Sequence, residues 1–339
     1  MRVLRKSLFA VAALSAATFI IPSGVNAADI KLTATAIGRP PIFSNTFADV
    51  GEAMGFWKKA GLDVTFRWFQ RGTDTAKAVV TGDAAIGFTA TPPAANLIAS
   101  GAKIKIVAGM PNQDWVIASD EAKDCKGLKG KTVAADGINN TRYLYLQSYL
   151  ATCGLKISDV KAINLANTPL VKAGIAKQVH SGVFHIDELA QVEHATKKWN
   201  IMDVPASIAE GLHYAVLVAN DNAIKNDREG LVRFLVGWIE TQKMMGSKDP
   251  ATMEKFAEIA AKAKNIDKSV ALNAIKAFQA KNYWVNNNGL NEKQMMSQVH
   301  ELVKVGSMKA KPPTYAQLVD TSLYAEAAKR VEKMGMMKK

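Results

Sequence analysis

Residues 55–109 read GFWKKAGLDVTFRWFQRGTDTAKAVVTGDAAIGFTATPPAANLIASGAKIKIVAG, and their order of elements decides the fold. DVTFRWF (63–69) has the composition of a strand, and DTAKAVVTG (74–82) is a short helix closed by glycine. AAIGFT (84–89) is again a strand, delivered to Thr-Ala-Thr-Pro-Pro. PPAANLIASG (92–101) is a helix opened by proline and closed by Gly101, and IKIVAGM (104–110) is the next strand. Strand, loop, helix and strand in repetition predict parallel strands joined by right-handed crossovers, an α/β sheet.

Working outward, KLTATAI (31–37) precedes this stretch as a strand. TFADVGEAMGFWKKAG (46–61) reads as one amphipathic helix with Phe47, Val50, Met54 and Trp57 on a single stripe. Downstream the strands continue as WVIAS, KTVAAD, VKAINLA, SGVFHI, NIMDVPAS and HYAVLVAND, with a long helix over TRYLYLQSYLATCG (141–154). From Asp227 onward the pattern is almost wholly helical, punctuated by Pro250, Pro312 and Pro313. No Ser/Gly/Pro-rich linker and no internal repeat interrupts it. Two lobes are therefore expected, with the chain crossing between them on the strands IKIVAGM and HYAVLVAND.

The first residues bear on location. MRVLRK is basic, SLFAVAALSAATFII (7–21) is apolar but too short and Ala-rich to span a bilayer, and Val25 and Ala27 suit a cleavage site. This predicts a signal peptide over 1–27 and an extracytoplasmic mature chain. With 48% hydrophobic and 22% charged residues over its full 339, the chain can bury a core large enough for two lobes. Its formal charge of +13 becomes +10 once Arg2, Arg5 and Lys6 leave. The lysines are scattered along helices, and an exported chain does not meet nucleic acid, so the excess reads as a solvated basic surface or a preference for an anionic small ligand.

In open α/β sheets ligands sit beyond the strand C-termini, where helix N-termini present free N–H groups and partial positive charge. Here those positions hold Pro41 to Thr46, Gln70 to Thr75, Thr89 to Pro93, Gly137 to Arg142 and Phe184 to Asp187. Three of these loops are rich in Ser, Thr, Asn and Gly, the composition of an anion cradle. Each residue taken singly is equally a helix cap or a turn residue. Other motifs fail on inspection. GLKGKT (127–132) lacks the first glycine of a phosphate loop and precedes its strand instead of following it. His180, His185, Asp187, Glu188, Glu193 and His194 match no familiar metal spacing, and nothing marks a catalytic nucleophile.

The stretch quoted first, together with LKGKTVAADGINNTRYLYLQSYLATCGLKISDV (128–160), resembles the periplasmic solute-binding proteins of ABC transporters in the nitrate, sulfonate and taurine group. The similarity covers roughly residues 30–245 and the helical tail loosely. It implies an α/β fold of type II periplasmic-binding-protein kind, with two lobes joined by two hinge strands and a helical C-terminal segment. The lobes would comprise 28–110 with 217–339, and 111–216. It implies capture of a small organic anion, a sulfonate or a carboxylate with aromatic acids included, and delivery to the membrane permease of an ABC importer. It further implies a periplasmic monomer without cofactor, catalytic residues or nucleic-acid partner. The family's contact positions fall on Ser44, Asn45, Gly72, Thr73, Thr91, Asn139, Asn140 and Thr141. The chain departs from the family after SGVFHI, where His185, Ile186 and Asp187 replace an aromatic residue and a Glu-Pro pair. It departs again at Arg142, where a smaller or neutral residue is usual. The superfamily also holds pyrimidine-synthesising enzymes of thiamine metabolism, which are cytosolic and carry a CCCFC segment that this chain lacks. A thiamine-pyrimidine-precursor binding or synthesis protein is thus one alternative, and a periplasmic ligand sensor another.

Two further expectations concern named side chains. Arg142, at the start of a helix, is expected to pair bidentately with a carboxylate or sulfonate, with Arg39 and Arg71 as competitors. Cys125 and Cys153 bracket one strand and one helix. They read either as a disulfide on the sheet edge opposite the ligand or as a core thiol on the stripe of Tyr143, Leu146 and Leu150.

Overall fold

Ten strands build two separate five-stranded sheets in a computed structural model that describes residues 30–138, 140–209, 211–280 and 282–335. The expected signal peptide and Asn139 lie outside the described residues. In chain order the strands are β1 (Ile30–Ile37), β2 (Leu62–Phe69), β3 (Ile86–Ala90), β4 (Ile104–Met110), β5 (Trp115–Ser119), β6 (Thr132–Ala135), β7 (Lys161–Asn164), β8 (Ser181–His185), β9 (Asn200–Ile201) and β10 (Ala215–Asn220). The first sheet has the order β2-β1-β3-β10-β4 and the second β7-β6-β8-β5-β9. All ten coincide with the strand-like segments of the sequence. Among the described residues no helix is long and apolar enough to cross a membrane.

The expectation of parallel strands holds for β1 with β2 and β3, and for β6 with β7 and β8. It fails for β10, which runs antiparallel to β3 and β4, and for β5, which runs antiparallel to β8 and β9. Each is the first strand to enter a sheet from the other one, so it arrives at the shared edge and runs away from it. The crossing also differs from expectation. β4 and β10 pair with each other inside the first sheet, and the chain passes between sheets on the non-strand segments 111–114 and 211–214. These two segments are tied together by the Tyr214 N–H, which donates to the Pro111 carbonyl at 3.3 Å, and by the Gln113 amide, which donates to the Leu212 carbonyl.

The stretch expected as one helix over 46–61 is two, Phe47–Ala53 and Phe56–Lys59, because Gly55 adopts the left-handed conformation (φ 65°) that glycine accepts without steric cost. The break turns Trp57 into the first-sheet core, where its indole stacks on Phe234 at 5.5 Å and donates to the Phe234 carbonyl. Phe47 packs edge-on against Trp238 at 4.7 Å and against Phe88 at 5.3 Å. The long helix Arg228–Met245 supplies Phe234 and Trp238, so the helical tail covers the first sheet. One side of the second sheet packs a small cluster of Leu170, Phe184, Leu189, Val192 and Trp199, while the other, with Ile117, Val133, Leu146 and Leu150, joins the larger core. Cys125 and Cys153 are joined as a disulfide at the N-terminal side of β6 and the C-terminal end of the helix Thr141–Thr152. That bridge lies away from the C-termini of β6 and β8.

Candidate functional site

The C-terminal ends of β1, β3, β6 and β8 and the N-terminal ends of β5 and β10 enclose one cavity of about 70 Å³ between the two sheets. At ~10–15 Å³ per water, this holds about five waters, the space of one small ring. The first sheet contributes Ile37, Gly72, Phe88, Ala90 and Ala215 to its wall, and the second contributes Trp115, Asp136, Asn140, Thr141, Arg142 and His185. At Gly72 a side chain would be tight, since a Cβ would stand 3.1 Å from the Ala90 nitrogen and from Thr89 Oγ1.

Of the ten sequence-predicted residues, five reach this wall: Gly72, Asn140, Thr141, Arg142 and His185. Thr73 lines an adjoining depression at the mouth with Arg71, Asp136 and Asn164. Ser44, Asn45 and Thr91 are buried behind the wall and serve the fold. Ser44 Oγ meets the Tyr214 hydroxyl at 2.8 Å, Asn45 Oδ1 accepts from the Ile37 N–H, and Thr91 Oγ1 meets His213 Nδ1 at 2.8 Å. Ser44 and Thr91 bond residues 170 and 122 positions away, so their contacts tie distant segments together rather than capping their own helices.

The expected role of Arg142 is corrected by its partners. Its side chain is 2% exposed, and both terminal nitrogens reach Glu188, at 2.9 and 3.0 Å. The second N–H of each terminal nitrogen goes elsewhere, Nη1 to the Val183 carbonyl at 3.1 Å and Nη2 to Asn167 Oδ1 at 2.8 Å. Burial works against the charge, yet the Glu188 carboxylate holds the guanidinium above its ordinary pKa. A fork already bound bidentately to a carboxylate is not available to a second one. Arg142 also lies 4.8 Å over the Trp115 ring. Of the competitors, Arg39 pairs with Asp49 and stacks over Trp68, and Arg71, at the cavity wall, pairs with Asp74.

Two helix N-termini of the second sheet each receive a carboxylate from within the chain. Asp136 accepts the Tyr143 N–H at 3.0 Å at the start of Thr141–Thr152, and Glu188 accepts the His185 N–H at 2.9 Å at the start of Ile186–Ala195. Asp136 is half-buried as a residue but its carboxyl is enclosed, and burial pushes it up to about 7 against the opposing pull of Arg142. His185 stacks on Trp115 at 4.1 Å, and its Nδ1 lies 2.7 Å from Asp114. Burial pushes the ring down to about 3, so it is neutral. A carboxylate facing Nδ1 fixes the proton there and leaves Nε2 with a lone pair. Among the described residues Nε2 has no hydrogen-bond partner, and neither has Thr141 Oγ1. Beside the cavity, Lys264 of the helical tail reaches Asp187 of the second sheet at 3.0 Å and donates to the Pro41 carbonyl at 2.8 Å. This is a buried ion pair between the two lobes.

Residues 44–240 match the family described as NMT1/THI5 like. The chain belongs to that family. Relatives from Brucella abortus, Brucella suis and Brucella melitensis, provisionally named as binding proteins, are 25% identical over 260 residues, 76% of this chain and 79% of theirs. The fold is that of the periplasmic binding proteins. The nitrate-binding protein NrtA of Synechocystis PCC 6803 is similar with a TM-score of 0.74 at 15% identity, over 89% of each chain. The alkanesulfonate-binding protein SsuA of Xanthomonas axonopodis pv. citri is similar with a TM-score of 0.70 at 12% identity, over 85% of this chain and 97% of that one. A protein of Bordetella bronchiseptica RB50 gives 0.75 at 17%, over 91% and 99%.

Sequence reasoning missed Asp114, Trp115, Asp136 and Tyr214 as parts of the site. Asp136 was legible in principle, as an acid at a strand C-terminus before a helix. Trp115 and Tyr214 carry no such signal, because they enter from the N-terminal ends of β5 and β10, which face the cleft only through the antiparallel insertion. Far from the cleft, His180 meets Asp120 at 3.0 Å beside Glu121, but the Lys131 amine occupies Glu121 at 2.6 Å.

Proposed function

We propose that the chain is an extracytoplasmic solute-binding protein that encloses a small solute between two lobes, 28–110 with 217–339 and 111–216, and delivers it to the membrane permease of an ABC importer. One observation carries this reading: a partly open cavity between the sheets is walled jointly by both of them. A solute there touches both lobes only when they are closed, which gives it the differential affinity that shifts the closed population. The similarity to ligand-binding components of import systems and the signal-peptide-like start support the same conclusion. They favour transport over the thiamine-pyrimidine synthesis and sensor alternatives. The organic anion implied by the resemblance has support from the first-lobe helix Gly72–Val80 and from Arg71, but the engagement of Arg142 by Glu188 removes its main second-lobe partner.

The test is small-angle scattering on protein freed of co-purified solute by unfolding and refolding. Adding the recovered solute, identified by mass spectrometry, is expected to shrink the radius of gyration and to return the solute unchanged. An unchanged radius at saturation breaks the reading, and a chemically altered solute favours the enzyme alternative.

A further inference from the structure

We propose that Lys264 and Asp187 form a charge-matched latch between the lobes, which lets a fraction of the molecules close without a solute and penalises closure when either charge is missing. It presupposes that the lobes open and close around a solute, and it concerns what else holds the closed state.

The two charges are anchored in different lobes. Lys264 ends the helix Pro250–Lys264 of the first lobe, donates to the Pro41 carbonyl at 2.8 Å and lies 5.5 Å over the Phe43 ring. Asp187 stands in the first turn of the helix Ile186–Ala195 of the second lobe, beside Ile186, whose N–H donates to the Asp114 carbonyl of a crossing segment. The cation is thus at a helix C-terminus and the anion at a helix N-terminus, each where its own helix favours its sign. With the lobes apart, both are hydrated and each is supported within its own lobe. The contact can therefore break and form again.

Burial makes the match obligatory. Nζ and Oδ2 are 3.0 Å apart, and the two side chains are 6% and 1% exposed. Among the described residues no hydrogen bond reaches either Asp187 oxygen, and Lys264 is the one cation within ion-pair distance of it. Closure desolvates both ions, and each is compensated by the other. Removing one leaves its partner buried and unmatched in the closed state alone, which disfavours closure and leaves the open state as it was. Neither residue belongs to the cavity wall, so the pair acts on the lobes and not on the solute. A solute then adds its contacts to a closed state that the chain already samples.

The test uses the mature protein, freed of co-purified solute and with its disulfide intact. Spin labels are placed through Lys77→Cys and Lys172→Cys, exposed positions on the first-lobe helix Gly72–Val80 and the second-lobe helix Asn167–Ile175. Pulsed dipolar spectroscopy is expected to show two distances, the shorter one matching this structure. Lys264→Met and Asp187→Asn are each expected to lower the shorter-distance fraction at least fivefold, Lys264→Arg to retain it, and the Lys264→Met, Asp187→Asn double variant to restore it to within twofold. No shorter distance in the unsubstituted protein overturns the proposal, as does an unchanged fraction in a folded single variant or a double variant no more closed than the single ones. Either single variant that folds decides the dependence on charge, and the unsubstituted protein decides closure without a solute. If only the longer distance is seen until the recovered solute is added, the latch is overturned and the transport reading stands. One unchanged distance with and without that solute removes both.

Discussion

The two lobes meet at one cavity but are held together differently. Around the first sheet, stability comes from aromatic burial: Phe47, Trp57, Phe88, Phe234 and Trp238 interlock, and the last helix, Ser322–Lys333, is braced on the outside by an Arg330–Glu229–Arg233 network. The second lobe buries Tyr145, Tyr149, Phe184 and Trp199 on two sides of its sheet, with a disulfide at its far end and a desolvated Arg142–Glu188 pair at the cleft. The contrast teaches that ionic contacts of similar length do unlike work. The outer network is hydrated and worth little in net terms, whereas a buried fork and carboxylate depend wholly on each other.

The sharpest way to break this contrast is Glu188→Ala, which strands a buried guanidinium and removes the acceptor of the His185 N–H. The expected loss is ~3–5 kcal/mol of stability, read by urea denaturation. The double variant with Arg142→Ala should recover part of it, because the stranded charge is gone. A loss near that of an ordinary surface change would equate the two kinds of ion pair.

Next in size is the disulfide, whose closed loop spans a sequence separation of 28. Replacing both cysteines with serine is expected to cost about 3–4 kcal/mol on the chain-entropy model, with solute affinity almost unchanged because the bridge lies far from the cavity. A tenfold change in affinity without loss of stability would contradict the placement of the bridge.

A pH series sharpens the comparison at the cleft. Burial holds His185 and His213 down to about 3 and about 4, so below the ordinary 6.5 the unfolded chain takes up protons that the folded chain refuses. Their contribution is complete above about pH 6.5 and is lost on acidification. Asp136, raised to about 7 by burial, acts in the opposite sense, since between about pH 4 and 7 the folded chain keeps a proton that the unfolded chain releases. Two histidines against one carboxyl leave a net loss of up to ~1.4 kcal/mol per unit between about pH 6 and 5. Denaturation at pH 5, 6 and 7 checks the sign, and rising stability toward pH 5 contradicts it.

The smallest effect belongs to the outer network. Arg330 bonds Glu229 with both nitrogens and Glu326 besides, and these contacts pull the Glu229 carboxyl down to about 2. Its side chain is 34% exposed, so solvent screens much of this, and Arg330→Ala is expected to cost no more than ~1 kcal/mol. The cost should shrink further in 1 M salt. A salt-independent loss of several kcal/mol would show the network to be as desolvated as the cleft pair.

The sequence by itself determined the ten strands, the two-lobe α/β class and the loops from which a site would be built, because hydrophobic period and helix-ending glycines are local signals. Gly72, Asn140, Thr141 and His185 were legible on the same ground, as residues between a strand end and a helix start. Only the tertiary structure decided what those residues do. Arg142 and Glu188 are 46 positions apart, and no local rule says that one will neutralise the other. The antiparallel insertion of β5 and β10, which brings Trp115 and Tyr214 to the cavity, follows from the chain passing twice between sheets. The sign of charge that a cavity prefers is a sum over groups gathered from distant segments and weighted by their burial, and burial exists only once the chain has folded.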